Sequence, residues 1–183
     1  MATGTRANIQ IWNLNGSLLT NFLDNTHPTT SLAFSPYGIH LASGGEDGSV
    51  QFWNIATKTS VVMRLEHKVT VRDVTYSPDG QWIATGADDG IARLWDAQTG
   101  KSVRAFEISN RPVFSAAFSP DGSVLATAGE TGHIHLWNTH TGATIYTLYK
   151  HDVPVHCIAF SPRVGILASG SADGTVQIWS AVP

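Results

Sequence analysis

The sequence predicts an all-β chain of antiparallel four-stranded sheets laid out as one repeated unit, and three observations carry that reading. Tryptophan recurs at Trp12, Trp53, Trp95, Trp137 and Trp179, with gaps of 41, 42, 42 and 42 residues, so one unit of ~42 residues is copied along the chain. Within a unit, apolar residues fall two apart, as at Val50/Phe52 and Val176/Ile178, the period of a strand with one buried face. Asp-Gly and Thr-Gly pairs separate the runs, and glycine there supplies the positive φ that tight hairpin turns require. Pro or Gly breaks the pattern before a helical face can develop.

The units follow in order as a partial repeat at 1–24 and four further repeats at 25–66, 67–108, 109–150 and 151–183. The second full unit shows the strands most clearly. TVRDVTYS runs into the turn Pro78-Asp79-Gly80, QWIATG into Asp88-Asp89-Gly90, IARLWD into Gln98-Thr99-Gly100, and KSVRAFE closes the set. These runs are short and rich in β-branched residues, as strands between hairpin turns are. At the start, Met1-Ala2-Thr3-Gly4 aligns with Leu167-Ala168-Ser169-Gly170 and reads as a truncated second strand. At the other end the chain stops just after Trp179, with no fourth strand; the run Ser17 to Phe22 is a candidate to supply it if the two ends meet.

Composition narrows the function classes. An apolar content of 42% is ordinary for a domain with a core. The formal charge of −3, with no cluster of Lys and Arg, argues against nucleic acid as a partner. Cys157 is the single cysteine, so no internal disulfide forms. The start lacks the basic region and apolar run of a secretory signal, and no apolar stretch approaches the roughly 18 residues of a membrane span. The expectation is a cytoplasmic protein without membrane attachment.

A His, an apolar strand ending in a Phe-Ser-Pro-Asp-Gly type of turn, a Leu-Ala-Ser-Gly type of strand, an Asp-Gly turn and a terminal Trp recur in register. The fullest copies run from His67 to Asp96 and from His151 to Trp179. In these features the chain resembles the Trp-Asp (WD) repeat family over essentially its whole length. The dipeptide itself survives only as Trp95-Asp96, with Asn13, Asn54, Asn138 or Ser180 after the other tryptophans. The resemblance implies β-propeller blades. Propellers of this family close with about seven blades, which needs ~290 residues at this period, so about four blades plus a terminal partial blade form an open arc or an incomplete propeller.

In the family, a His, a Ser or Thr, an Asp and the Trp are hydrogen-bonded within a blade. The full matches here are His67, Thr85, Asp89 and Trp95, then His151, Ser169, Asp173 and Trp179. A buried Asp needs donors and a buried indole N–H needs an acceptor, which these residues supply to one another. The third repeat has Ser109 where His belongs and Thr131 where Asp belongs, so both partners are replaced together. The first has Ser43, Asp47 and Trp53, with Asn25 at the aligned position and His27 two residues later as alternative partners for Asp47.

A His-Ser-Asp trio also suggests a hydrolase triad, but this one recurs in successive units, and no nucleophile elbow, phosphate loop or metal motif accompanies it. No enzymatic activity and no cofactor are expected. His133 and His135 share one face of a strand, with His140 nearby, and invite a metal reading. Their aligned residues are Ser49, Ile91 and Thr175, and Gln51, Arg93 and Gln177, which marks a mostly polar face throughout the repeats. Cys157 aligns with Ser31, Asp73 and Ser115 on the innermost strand, with no base supplied by motif.

Function is then expected at the variable positions of the repeated frame. Proteins and peptides dock on WD propellers where the first strand begins and the second and third strands turn. Carried onto this chain, that edge holds Pro28, Thr30 and Glu46; Thr70, Arg72 and Asp88; Pro112, Phe114 and Glu130; Pro154, His156 and Ala172. Glu46, Asp88 and Glu130 are expected to form an acidic rim, with Phe114 and Arg72 as anchors for a protein or peptide partner carrying basic residues. The leading function is a non-catalytic protein-interaction scaffold. A regulatory or sensor segment of a larger signalling protein with an NTPase or kinase domain is the alternative, and an open arc invites a second copy to complete the propeller.

Overall fold

The computed structural model describes residues 1–4, 8–22, 27–63, 67–163 and 165–180, with the side chains of 60–63 left aside. Among the described residues eighteen strands make five antiparallel sheets. The first holds β1 (Ala2–Gly4), β2 (Ile9–Trp12) and β3 (Leu18–Phe22). The second holds β4 (Thr29–Phe34), β5 (His40–Gly45), β6 (Val50–Asn54) and β7 (Thr59–Met63). The third holds β8 (Val71–Tyr76), β9 (Trp82–Ala87), β10 (Ile91–Asp96) and β11 (Ser102–Glu107). The fourth holds β12 (Val113–Phe118), β13 (Val124–Gly129), β14 (Ile134–Asn138) and β15 (Thr144–Leu148), and the fifth β16 (Val155–Phe160), β17 (Ile166–Ser171) and β18 (Val176–Ser180). Every sheet is a meander of consecutive strands, and none closes into a barrel. The architecture is that of an incomplete β-propeller.

Local chemistry sets each hairpin. In the turns between first and second strands, the Ser35, Ser77 and Ser119 hydroxyls accept the N–H groups of His40, Trp82 and Val124 at 3.0, 2.9 and 2.9 Å. That closes the loop over the proline. Between second and third strands, Gly48, Gly90, Gly132 and Gly174 take φ of 82°, 76°, 80° and 81°, a region that costs other residues steric energy.

The run from Ser17 to Phe22 was a candidate to complete the fifth sheet, and the structure assigns it elsewhere. Asn13 N–H bonds Ser17 O at 2.8 Å across a turn with Gly16 at φ 84°, and β3 pairs with β2 from Ile9↔Phe22 to Trp12↔Leu18. β3 is therefore the last strand of the first sheet, and the described residues of the fifth sheet form three strands.

The core lies between the sheets. Ile9, Ile11, Phe22, Leu41 and Trp53 fill the first interface, and Val50, Phe52, Val71, Val74, Ile83 and Trp95 the second. Leu94, Phe106, Phe118, Leu125 and Trp137 fill the third, and Ile134, Val155, Ile158 and Leu167, with Trp179 against them, the fourth. Each interface therefore receives one of the periodic tryptophans, which is why the period is legible in indole spacing. Trp53 and Trp95 are 0% and 1% exposed. Burying an apolar side chain of this kind is worth roughly 1.5–3 kcal/mol. No helix of the described residues is long and apolar enough to cross a membrane.

Candidate functional site

The hydroxyl at the centre of each sheet organises the buried polar groups. Trp95 Nε1 donates to Thr85 Oγ1 at 2.9 Å, and His67 Nε2 lies 2.7 Å from the same oxygen. His67 Nδ1 stands 3.2 Å from Asp89 Oδ2. In the fifth sheet the equivalents are Trp179 to Ser169 at 2.8 Å, His151 to Ser169 at 2.9 Å and His151 to Asp173 at 3.2 Å. The second sheet has Trp53 on Ser43 at 2.9 Å and His27 Nδ1 on Asp47 at 2.9 Å; Asn25 lies outside the described residues. In the fourth, Trp137 donates to Thr127 at 2.9 Å, while Ser109 accepts Arg111 N–H and Thr131 accepts His133 N–H within their own loops.

One participant escaped sequence reasoning. Arg93 Nη1 reaches Asp89 Oδ2 at 2.7 Å and His67 Nδ1 at 2.6 Å. A guanidinium only donates, so Arg93 meets both the Asp89 carboxylate and the His67 ring edge as a donor. Burial opposes the Asp89 charge, but the Arg93 hydrogen bond, then the charge of His67 and the Ile91 N–H, outweigh it and hold the carboxyl below its ordinary range. Asp173 is lowered to about 2, chiefly by the Thr175 hydroxyl and N–H. A histidine whose hydroxyl neighbour is also tied to an indole has no free nucleophile beside it. The geometry cross-braces two strands and a turn.

At the loop edge, the Glu46, Asp88, Glu130 and Ala172 N–H groups bond the carbonyls of Pro28, Thr70, Pro112 and Pro154 at 2.9–3.1 Å. Each sheet therefore presents its rim residue at an equivalent place. The acids are not bare, however. Arg72 forks onto Asp88 with bonds of 2.6 and 2.9 Å, and Arg111 holds Glu130 at 2.9 Å. The hydrogen bond to Asp88 raises the Arg72 pKa, and the Glu46 charge acts on the same guanidinium. Two of the three expected rim acids thus carry counter-ions in the free protein, and Arg72 is the partner of one of them. Arg111, on the loop ahead of Pro112, was not singled out from sequence because an ion pair across a turn leaves no periodic signal.

The two loop edges still differ in charge. Along the rim edge the described carboxylates are Glu46, Asp47, Asp88, Asp89, Glu107, Glu130, Asp152 and Asp173, against Lys68, Arg72, Arg93, Arg111 and Lys150. At the opposite edge Asp79, Asp96 and Asp121 face Lys58, Lys101, Arg104 and Arg163. Acids are in excess on the rim edge alone. Phe114 and His156 also stand on this edge, with ring centroids 5.5 Å apart and planes 20° from parallel.

His133 and His135 contact edge to face at 6.4 Å, and His133 meets Tyr149 at 4.7 Å. His135 stacks on Trp137 at 5.7 Å and shares a 3.1 Å hydrogen bond with Thr147. Burial, then the charge of His133, lowers its pKa. His140 lies apart, in the turn after β14, where Arg104 of the preceding sheet caps the carbonyls of Thr139, His140 and Thr141. Among the described residues no three His, Cys, Asp or Glu converge as metal ligands. Cys157 is an exposed free thiol.

Radial sheets with one indole per interface and a hydroxyl bridging indole to imidazole define the chain as a repeat-type β-propeller. A sequence model described as the IFT122 first beta-propeller matches residues 1–181. The chain belongs to that family. Comparison with curated proteins finds no match.

Proposed function

We propose that this chain is a non-catalytic scaffold that docks a protein or peptide carrying basic residues along the rim edge. The observation that carries the proposal is the unequal charge of the two loop edges, since electrostatic complementarity steers a partner to one face and sets its orientation. Membership of a β-propeller family supports protein binding in general terms. The contact positions proposed are Glu46, Arg72, Asp88, Phe114, Glu130 and His156, with the polar networks around Ser43, Thr85 and Ser169 holding the loops that present Glu46, Asp88 and His156. We place this activity in the cytoplasm, and a second copy is a candidate to extend the array.

Charge reversal at Glu46, Asp88 and Glu130 tests the docking edge. Partners captured by the wild-type chain should be lost from the triple variant and from wild type at raised salt, because exposed charges are screened over about 10 Å at 0.1 M. An unchanged set of partners in both arms ends the proposal. Light-scattering mass above the 19.6 kDa of one chain is the outcome expected for self-association.

A further inference from the structure

We infer that Phe114 and His156 form a ring platform for an arginine of the docking partner; the inference rests on the proposed docking edge and specifies its chemistry. The innermost strands carry the argument. In four of them the pairing register skips one residue: Thr30 between Thr29 and Ser31, Arg72 between Val71 and Asp73, Phe114 between Val113 and Ser115, and His156 between Val155 and Cys157. A bulged residue leaves the ladder, and its side chain is re-aimed. The bulges therefore place one redirected side chain per sheet at the rim edge.

Two of the four have their polar groups engaged. The Thr30 hydroxyl reaches the carbonyls of Gly44 and Val71, and the Arg72 guanidinium is forked onto Asp88. Phe114 and His156 instead stack across two neighbouring sheets, with Phe114 half-buried and His156 exposed. The backbone brings Glu130 to the same edge, because Val113 pairs with Gly129 and the Glu130 N–H bonds Pro112 O. An aromatic face next to a carboxylate attracts a cation. Arginine fits better than lysine, since its planar and weakly hydrated guanidinium stacks on rings while forking onto carboxylates. The site already shows the affinity in part: Arg111 sits on Glu130 with its own side chain 60% exposed, so an incoming arginine exchanges one guanidinium for another and gains the ring contact.

The experiment uses short fluorescein-labelled peptides in which glycine alternates with arginine, lysine or citrulline, titrated by anisotropy at low salt. The arginine peptide should bind the full chain more tightly than the lysine peptide, and the citrulline peptide should not bind. Phe114→Ala should weaken the arginine peptide about 2- to 5-fold, with Phe114→Trp restoring or tightening it and thereby controlling for folding. Equal binding of arginine and lysine peptides, or an arginine affinity unmoved by Phe114→Ala, overturns the platform and leaves the acidic docking edge standing. Failure of both basic peptides to bind overturns the edge and the platform together.

Discussion

Replacing Thr85 by valine keeps the side-chain shape and deletes the one oxygen that serves both His67 and Trp95. Thr85 is 0% exposed, Trp95 1% and His67 4%, so neither orphaned nitrogen can turn to water. A buried polar group left without its partner costs about 1–3 kcal/mol, which puts two orphans at about 2–6 kcal/mol. The fourth sheet provides the control. Thr127 is equally buried and accepts the Trp137 N–H at 2.9 Å, and its loops hold Ser109 and Thr131 away from it. Thr127→Val strands one nitrogen and should cost about 1–3 kcal/mol. Urea unfolding followed by tryptophan fluorescence separates the two, with Thr85→Val expected to unfold about 1 M earlier than Thr127→Val. If the two variants unfold together, the imidazole contributes nothing through the hydroxyl and the bridging argument is wrong.

Further outcomes follow from the same interior. Asp73 accepts Ser31 Oγ at 3.0 Å, Val74 N–H at 2.9 Å and Ala116 N–H at 2.9 Å, tying three inner strands together. Burial nevertheless raises its pKa despite these donors. A folded pKa above the unfolded one means that the native state holds the proton more tightly, so this group's contribution to stability falls as pH rises from the ordinary carboxylate range through the raised value. Asp73→Ser copies the serine of neighbouring sheets and should gain on wild type over that window; a urea-midpoint difference constant with pH would contradict this. Gly90→Ala and Gly38→Ala impose the same kind of backbone cost, at φ 76° and 67°, but a Cβ at Gly90 meets Ser109 O at 2.0 Å while one at Gly38 meets nothing within 4 Å. Thermal unfolding should therefore fall much further for Gly90→Ala, and equal losses would refute the steric account.

Much of the fold is legible in the chain because it is local. Trp-to-hydroxyl pairs such as Trp53–Ser43, Trp95–Thr85 and Trp137–Thr127 lie ten residues apart, a spacing that follows from strand alternation across a three-residue loop. The candidate site is less legible. Arg111–Glu130 and Arg72–Asp88 span 19 and 16 residues without periodicity, and a formal count of acids along the rim says nothing about which are neutralised.

What the sequence alone determined is the repeat, its strands and turns, and the indole placed at each interface, since glycine φ, β-branching and a period of two act over a few residues. Only the packed structure decided how sheets communicate. Ser31, Asp73 and Ser115 each accept an N–H from the next sheet, on Val74, Ala116 and Ile158, all 43 residues further on. Phe114 meets His156 across the same kind of interface, 42 residues further on. Those contacts exist because a bulge in every inner strand shifts one side chain out of the alternating pattern, and where it then points depends on the neighbouring sheet.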